Sequence, residues 1–328
     1  MYIVTGGAGF IGSNVVAGLE KNFDDDIVII DNAMNELKWK NLRKRSRIKD
    51  IFIYYDEAFK FMEDHKSEIQ AVIHMGESLN KNDIRLLIEE NFRVGIKIWN
   101  FCAKNAIPLI YGTSFRTYGH YTEEFKDDFS EDALATLHPD SPYAWSKNLF
   151  DIFVARNVLK YKKFPPQWVG LKFFSVYGPN EYHKEAKKSL IVKAYPYALK
   201  EKSFSLYKSQ NERYADGEQM RDFVYIKDCI DVIVWMLKNP NVSGLFNIGT
   251  GTARTFKDMA VAVYKAIGVE PKIKYDDMPE NLCEEYRYFT QADISKLRNA
   301  GYTKAFTPLE DGVKDFVLNY LHTSDPYI

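Results

Sequence analysis

The stretch VTGGAGFIG, residues Val4–Gly12, stands directly after a short apolar run and directly before a helical pattern. In this arrangement Gly6 permits a tight turn, Gly9 lets the backbone approach a pyrophosphate, and Gly12 lets the helix pack close to the strand. The unbonded N–H groups and the positive end of that helix would face the phosphates of a dinucleotide. The stretch therefore predicts the first strand and helix of a dinucleotide-binding sheet.

Short apolar runs alternate with amphipathic segments, such as Asn91–Asn105, through the first half of the chain. Continuous apolar strands separated by helices are typical of a parallel sheet that is covered on both faces. We therefore predict an α/β fold that is doubly wound around a parallel sheet. The predicted strands are Tyr2–Gly6, Ile27–Asp31, Ile51–Tyr55, Ala71–Met75, Pro108–Thr113, Trp168–Ser175 and Gly244–Gly251.

The alternation loosens after Ser175, where proline, glycine and charged loops separate shorter helical patterns. Two more helical patterns flank the segment Pro271–Tyr275. We expect a dinucleotide-binding domain from residues 1–175 plus 223–252, and a smaller, discontinuous substrate-binding lobe from residues 176–222 plus 253–328.

Composition excludes several classes of protein. The 328 residues are 46% hydrophobic and carry a net charge of -1, which allows a sizeable core and argues against nucleic-acid binding. Cys102, Cys229 and Cys283 form no CxxC pair, so we expect neither a disulfide framework nor a zinc site, and a reducing, cytoplasmic setting fits. The histidines show no metal-ligand spacing. The chain lacks the basic start of a signal peptide, and its apolar runs are shorter than the ~20 residues of a membrane span.

The second predicted strand ends in Asp31, which could bind an adenosine ribose hydroxyl and so favours NAD. However, Lys38, Lys40 and Arg43 follow closely and could offset the 2'-phosphate of NADP. These residues alone leave NAD and NADP open. The basic run Arg43–Arg47 fits a solvated helix face as well as a grip on a cofactor phosphate.

The segment SPYAWSK, Ser141–Lys147, contains a tyrosine and a lysine four residues apart, which would lie on one face of a helix. A phenol has a reference pKa of about 10, and a neighbouring ammonium favours its phenolate. Tyr143 could then exchange a proton at neutral pH. Such a pair also occurs by chance and gains its weight from the glycine stretch upstream. The hydroxyl of Ser114, at a strand exit, could hold a substrate oxygen against Tyr143.

The glycine stretch, the serine and the Tyr-Lys pair together resemble the extended short-chain dehydrogenase/reductases, which have a Rossmann domain. Longer strings cover nearly the whole chain and resemble the ADP-glyceromanno-heptose 6-epimerase family: VTGGAGFIGSN, VIHMG, YAWSK, LKFFSVYGPNEYHK, YADGEQMRDFVYIKD, GLFNIGTGTARTF and YRYFTQADISKLRNAGY. The resemblance implies an isomerase of lipopolysaccharide biosynthesis that inverts C6'' of ADP-D-glycero-D-manno-heptose. A tightly held NADP would take a hydride and return it on the other face. The resemblance also implies a homo-oligomer that binds a nucleotide-sugar substrate.

The resemblance assigns roles residue by residue. Tyr143 matches the catalytic tyrosine, Lys147 its partner and a ligand of the nicotinamide ribose, and Ser114 the substrate-oxygen contact. Lys184 matches a second acid/base that serves the opposite orientation of the sugar. The other expected substrate contacts are Phe174, Ser175 and His183, together with Arg221 and Tyr286 at the nucleotide diphosphate.

The expected cofactor contacts include Lys38, which matches a lysine near the adenosine phosphate and therefore favours NADP, with NAD as the alternative. Asn91 is expected to face the cofactor at the start of a helix. A role as an N-terminal cap or as an ordinary polar residue of the helix agrees with the sequence nearly as well. The remaining expected contacts, besides Tyr143 and Lys147, are Gly6, Gly9, Phe10, Ile11, Gly12, Asp31, Asn32, His74, Met75 and Gly76.

The chain departs from the family pattern mainly around the sugar. The departures are Phe115 and Arg116 in place of two small residues, the segment Glu77–Asp83 in place of a Ser/Thr-rich stretch, Ser175 in place of asparagine, and Glu185 in place of glycine. Their clustering indicates an altered sugar pocket or a lost activity. Arg116 is costly to bury unless it is paired, and we expect Glu77 or Glu185 as its partner.

Three functions are therefore compatible with the sequence. The first is an active heptose 6-epimerase, and the second is another nucleotide-sugar epimerase, dehydratase or oxidase. The third is a non-catalytic subunit that keeps NADP for stability and assembly. Retention of Ser114, Tyr143, Lys147 and Lys184 favours an enzyme over this third function.

Overall fold

A parallel sheet of seven strands forms the centre of the computed structural model, which describes residues 1–32, 35–80, 83–119, 124–283 and 286–328. The strands along the chain are β1 (Tyr2–Thr5), β2 (Ile27–Ile30), β3 (Ile48–Phe52), β4 (Ala71–His74), β5 (Leu109–Ser114), β6 (Trp168–Phe173), β7 (Ser175–Tyr177), β8 (Phe204–Tyr207), β9 (Met220–Tyr225), β10 (Gly244–Ile248), β11 (Ala253–Thr255) and β12 (Ile273–Asp276).

The central sheet has the strand order β10-β6-β5-β4-β1-β2-β3, with every pairing parallel. The chain builds outward from β1 to β3 and then returns to place β4 on the other side of β1. The carboxyl ends of β1 and β4 therefore flank a crevice, which is where ligands bind in open α/β sheets. The prediction of a doubly wound α/β fold is confirmed.

Helices cover both faces of this sheet. Their bounds are α1 (Phe10–Asn22), α2 (Tyr55–Asp64), α3 (Ile84–Ile88), α4 (Val94–Lys104), α5 (Glu131–Ala135), α6 (Pro142–Arg156), α7 (Leu190–Leu199), α8 (Ile226–Lys238), α9 (Phe256–Ala266), α10 (Glu280–Cys283), α11 (Ser295–Asn299) and α12 (Leu309–Phe316). Within the described ranges, no helix is both long enough and apolar enough to cross a membrane.

Two apolar cores follow from the alternation of side chains along the strands. Ile3 of β1 joins the core that contains Trp99 of α4. The next residue, Val4, joins the core on the opposite face, with Val16 of α1 and Ile230 of α8. Because both faces are covered, the inner strands of the sheet are apolar at most positions, which is the pattern the sequence shows.

Two predicted strands differ from the structure. The third was expected as a buried strand at Ile51–Tyr55, but β3 begins at Ile48 and Tyr55 opens α2. Since β3 is the edge strand and pairs only with β2, Ile51 remains 41% exposed. The run Trp168–Ser175 divides into β6 and β7, because Phe174 bonds the end of β10 and β7 pairs with β9.

Two small sheets stand beside the central one, in the orders β11-β9-β7 and β12-β8. Most of their residues come from the two segments expected to form the substrate-binding lobe. Strand β9 crosses the boundary placed at residue 222, and the division into two domains remains a prediction.

Candidate active site

The glycine loop between β1 and α1 is shaped by two close backbone approaches. Gly6 has a φ of +63°, in the left-handed region that favours glycine, and a Cβ there would lie 2.7 Å from the Cα of Gly76. A Cβ on Gly12 would lie 2.1 Å from the carbonyl oxygen of Gly6. Gly9 is the N-cap of α1, and no side chain caps this helix. The N–H groups of its first turn, which includes Phe10 and Ile11, are therefore available to an anion.

Asp31 joins the end of β2 to this loop. Its buried carboxylate accepts a hydrogen bond from the Ala8 N–H at 3.0 Å and lies 3.2 Å from Lys38 Nζ. The next residue, Asn32, donates to Glu90 Oε1 at 2.7 Å. Asp31, which could bind a ribose hydroxyl, and Lys38, which could bind a phosphate, are thus in direct contact.

The basic run that follows is paired with acids of the protein. Arg43 and Lys44 both contact Asp325, at 2.5 and 3.0 Å. Arg45 pairs with Glu20 at 3.0 Å, and Arg47 with Asp24 at 2.8 Å. These ion pairs favour the surface alternative over a grip on a cofactor phosphate.

The end of β4 is fixed against β1 by a buried threonine. Nδ1 of His74 lies 2.6 Å from Thr5 Oγ1, and the N–H of Gly76 donates to the same oxygen at 3.0 Å. Burial lowers the pKa of His74 to about 3, so its imidazole is neutral at physiological pH. The N–H of Met75 bonds the Thr5 carbonyl, which completes a rigid exit toward Glu77.

Asn91 lies inside a continuous helical segment and not at the start of a helix as predicted. It belongs to the π-helical turn Glu89–Arg93, which joins α3 to α4. Its Oδ1 accepts the Ser78 N–H at 2.7 Å, and its Nδ2 donates to the Ser78 carbonyl and to Ser146 Oγ, both at 3.0 Å. Its buried amide therefore ties the loop after β4 to helix α6.

Helix α6 brings the predicted pair of proton-exchanging residues together. Ser141 caps its N-terminus, and Pro142 stands in the first turn, where a missing N–H costs nothing. Tyr143 and Lys147 are both buried and lie one turn apart. Ser114, at the end of β5, hydrogen bonds the Tyr143 phenol and also accepts the Arg116 N–H at 3.2 Å.

A fourth group, Glu77, completes this cluster and was not predicted to lie here. The phenol of Tyr143 donates to Oε2 of Glu77 at 2.9 Å, and Nζ of Lys147 lies 3.2 Å from the same oxygen. Burial raises the pKa of the Tyr143 phenol well above its ordinary value, and the Glu77 carboxylate raises it further. The prediction that the ammonium of Lys147 favours a phenolate is therefore wrong for this arrangement, because that ammonium is directed at Glu77.

Lys184 approaches the cluster from the 3-10 helix Tyr182–Lys187. Its Nζ lies 4.5 Å from the centre of the Phe10 ring and 4.0 Å from Glu181 Oε2. Burial lowers the pKa of Lys184, whereas Glu181 and Glu77 raise it. A lysine with a lowered pKa can take up and release a proton more readily near neutral pH.

The neighbours of Lys184 are also unusual. Burial, with the charges of Lys38 and Lys184, lowers the pKa of His183 to about 4, and its Nδ1 lies 3.3 Å from Asn41 Nδ2. Glu185 has a φ of +48°, a left-handed conformation that is uncommon outside glycine. A glycine would adopt this conformation without the steric cost of a Cβ.

A cavity of about 400 Å³ lies beyond Ser175, between the two small sheets and helices α7 and α9. Its wall includes Arg221, whose guanidinium lies 5.4 Å from the centre of the Phe256 ring and 5.6 Å from that of Tyr286. Burial lowers the pKa of Arg221 to about 10. Lys188 and Lys193 also line this cavity, so cationic groups and aromatic faces meet in one place, as a nucleoside diphosphate requires.

Comparison with known proteins identifies the fold's family. The model of the NAD dependent epimerase/dehydratase family matches residues 2–249.

The chain belongs to this family. It is 42% identical, over 100% of both chains, to proteins named ADP-L-glycero-D-manno-heptose-6-epimerase from Nitratidesulfovibrio vulgaris and Fusobacterium nucleatum. It is also similar to the crystal structure of the Helicobacter pylori ADP-L-glycero-D-manno-heptose-6-epimerase. That match has a TM-score of 0.77 and 25% identity, and it covers 97% of this chain and 95% of the other.

The residues around the crevice fit the dinucleotide cofactor of the epimerase/dehydratase family. The glycine loop leaves no room for a Cβ at Gly6 or Gly12, and the uncapped start of α1 faces the crevice. Asp31 stands at the end of β2, where the ribose of a dinucleotide is bound in this fold. Within the described residues, no three His, Cys, Asp or Glu side chains are grouped as a metal site.

The residues that depart from the family pattern form their own contacts. The ring of Phe115 stacks on Phe174, with 5.3 Å between centroids. Arg116 was expected to pair with Glu77 or Glu185, but its Nη1 lies 3.9 Å from Oδ1 of Asp140. The expectation is wrong because Phe115–Tyr118 forms a 3-10 helix after β5 that directs Arg116 toward the start of α6.

Sequence reasoning missed several other residues of the site. Arg287 pairs with Asp140 at 2.7 Å. Behind the strand exit, Asp151 accepts from Thr113 Oγ1 at 3.1 Å and lies 2.9 Å from Lys172 Nζ. Signals existed for this buried pair, since Asp151 follows Lys147 by one helical turn and Lys172 interrupts an apolar strand.

Proposed function

We propose that this protein is an ADP-glyceromanno-heptose 6-epimerase, which converts ADP-D-glycero-D-manno-heptose to the L-glycero form at C6''. One observation carries the proposal. Ser114, Tyr143 and Lys147 meet beside the glycine loop, while Lys184 reaches the same crevice from a different element. The full-length similarity to proteins of that name supports the substrate.

The bound dinucleotide would supply a hydride acceptor and donor. Ser114 would hold the C6'' oxygen against Tyr143, which exchanges the proton of that oxygen. Inversion presents both faces of C6'' to the cofactor, so the oxygen must be protonated from two directions. Lys184, whose pKa is lowered by burial, would serve the second direction. Lys147 would hold the nicotinamide ribose.

The nucleotide would occupy the cavity lined by Arg221 and Tyr286. A guanidinium binds a diphosphate through two parallel hydrogen bonds, and this one is held between two rings. Phe174, Ser175 and His183 would lie on the sugar side. Residues 176–222 and 253–328 would then form the lobe that binds the nucleotide sugar, and 1–175 with 223–252 the domain that binds the dinucleotide.

We infer NADP as the cofactor, because Lys38 lies 3.2 Å from Asp31. The positive charge of Lys38 would offset the repulsion between the Asp31 carboxylate and the 2'-phosphate of NADP. Lys38→Met should weaken NADP+ binding about 10-fold, corresponding to one charged hydrogen bond, and NAD+ binding less. Fluorescence titration of the cofactor-free protein with each dinucleotide measures this. Lys21→Met, at an exposed position at the end of α1, is the matched control. Equal losses for both dinucleotides would argue against NADP.

The assembly state is part of the proposal. We expect a homo-oligomer, as the resemblance implies, and light scattering coupled to size-exclusion chromatography measures its mass directly. A monomer at micromolar concentration would contradict this expectation without affecting the assignment of the site.

The decisive experiment is an assay of configuration. The protein is loaded with cofactor, incubated with ADP-D-glycero-D-manno-heptose, and the C6'' configuration is followed by NMR. We expect the D-glycero signal to be replaced by an equilibrium mixture. No inversion by protein with demonstrably bound cofactor would remove the proposal.

A second candidate is a related enzyme with a different sugar. It is favoured by the stacked pair Phe115 and Phe174 and by the ion cluster of Arg116, Asp140 and Arg287, which occupy the region expected to face the sugar. Turnover of another nucleotide sugar in the same assay, with none of the heptose, would select this candidate. If no sugar in a panel is turned over, the protein is a non-catalytic NADP-binding subunit.

A further inference from the structure

Glu77 occupies a position that neither the Tyr-Lys pair nor the family match assigns a role. A single oxygen, Oε2, accepts the Tyr143 phenol at 2.9 Å and the Lys147 ammonium at 3.2 Å. Tyr143 and Lys147 are buried, whereas the side chain of Glu77 keeps 29% of its exposure. The carboxylate thus stands between a buried proton donor and the open crevice.

The backbone holds Glu77 in this place from both sides. Before it, Gly76 donates to Thr5 Oγ1 at 3.0 Å. After it, Ser78 exchanges two hydrogen bonds with the amide of Asn91, which also bonds Ser146 on α6. The loop is therefore fixed to the helix that carries Tyr143. This backbone anchoring keeps the Glu77 carboxylate close to the Tyr143 phenol.

The charged groups around Glu77 come from three elements. Helix α6 supplies Tyr143 and Lys147, and the 3-10 helix Tyr182–Lys187 supplies Lys184, whose pKa the Glu77 charge raises. The 3-10 helix Phe115–Tyr118 supplies Arg116, whose charge acts on Tyr143. Two ammonium groups, those of Lys147 and Lys184, thus face one carboxylate.

We propose that Glu77 is the proton acceptor for Tyr143 in the reaction inferred above, and the idea rests on that proposed function. The cofactor, when bound, would accept the hydride from C6'', while the substrate O–H bond would break and its proton would join the phenol oxygen of Tyr143. The phenolic proton passes at the same time to Oε2 of Glu77, which becomes a neutral carboxylic acid. When the ketone is reduced, both protons move back, so no proton or electron is left over.

The phenol needs such an acceptor in this protein. Burial and Glu77 together raise the pKa of Tyr143 well above its ordinary value, so the phenolate is not formed in advance. A protonated phenol can take a substrate proton only if its own proton leaves in the same step. Glu77 accepts the hydrogen bond along which that proton would travel.

The first test uses Glu77→Gln, which keeps the size of the side chain but cannot accept the proton. Per molecule with bound cofactor, kcat should fall about 100-fold or more, with a smaller change in KM, as for loss of a general base. Glu57→Gln, an exposed acid of α2, is the control and should match wild type. Formate should restore part of the rate of Glu77→Ala, which a merely structural residue would not allow.

The second test does not require the sugar. In a spectroscopic titration of tyrosinate, Glu77→Gln should show one tyrosine that ionises at lower pH than in wild type, because the carboxylate that opposes ionisation is gone. That tyrosine should be absent from the double variant with Tyr143→Phe. If wild type does not invert the heptose, this titration still decides whether Glu77 and Tyr143 are coupled. The proposal is overturned if the tyrosinate titration of Glu77→Gln is unchanged or if this variant keeps the wild-type kcat. It is also overturned if the activity lost by Glu77→Gln is explained entirely by loss of bound cofactor.

Discussion

The cofactor end and the sugar end of the crevice are built by different means. At the cofactor end, the positive φ of Gly6 and the close approach of Gly12 to the Gly6 oxygen are backbone constraints within one short segment. At the sugar end, the contacts join side chains far apart in the chain, such as Glu77 with Tyr143, 66 residues away, and Asp140 with Arg287, 147 residues away. A local backbone constraint can be recognised in a sequence, whereas a distant side-chain pairing depends on the whole fold. The predictions below test how independent the two ends are.

The largest expected effect tests whether the sugar end is catalytic at all. Tyr143→Phe should lower kcat about 1000-fold, within the usual range for loss of an acid/base group, and change cofactor affinity much less, because the ring and Lys147 remain. The NMR assay of C6'' configuration and a cofactor titration measure the two quantities. Unchanged turnover would show that Tyr143 exchanges no essential proton and that the two ends are not joined through it.

The next largest effect concerns the buried ion pair of Lys172 and Asp151, behind the exit of β5. Lys172→Met leaves Asp151 buried with its cation partner removed, which should lower the free energy of unfolding by about 3 to 5 kcal/mol. Denaturant unfolding measures the loss. The double variant Lys172→Met with Asp151→Leu removes both charges and should recover much of the stability. A double variant as unstable as the single one would show that packing, not charge, is responsible.

An intermediate effect is expected at the cofactor end. Gly12→Ala would place a Cβ 2.1 Å from the Gly6 oxygen, and the shift this forces should weaken cofactor binding about 10- to 100-fold, from 1–3 kcal/mol of overpacking. Equilibrium dialysis measures the affinity. The same overpacking should lower the free energy of unfolding of Gly12→Ala, which denaturant unfolding measures. In Gly9→Ala the Cβ would lie 3.1 Å from the same oxygen, so this variant should lose less unfolding free energy than Gly12→Ala. Equal losses would mean that the close approach is relieved elsewhere.

Much of the fold and the cofactor end could be predicted from the sequence. The apolar strands gave the parallel sheet, and the glycine spacing gave the loop, because both are set by neighbours along the chain. The edge strand β3 was misplaced, since one exposed face removes the continuous apolar run. The pair Tyr143 and Lys147 was also within reach, because helical spacing alone brings them together.

The electrostatics of the sugar end could not be predicted in the same way. Glu77 was expected near Arg116, and its partners are Tyr143 and Lys147. A carboxylate in a loop has several cations within reach, and only the packed positions of α6 and β5 select among them. The same holds for Asp140, which Arg287 reaches from the far end of the chain.

The smallest effect concerns Arg116, the most conspicuous departure from the family pattern at the sugar end. It tests whether Arg116 stabilises the structure or acts on Tyr143 through its charge. Its ion pair with Asp140 is long and its side chain is 42% exposed, so Arg116→Ala should change the free energy of unfolding by less than about 1 kcal/mol. Its positive charge lowers the pKa of Tyr143, so the variant should ionise Tyr143 at higher pH, and the alkaline change in the rate should move upward in pH. Tyrosinate titration and the pH profile of kcat measure this, with the exposed Arg85→Ala of α3 as control. A shift in the opposite direction would mean that Arg116 acts on the site through Asp140 and Arg287, and not by its own charge.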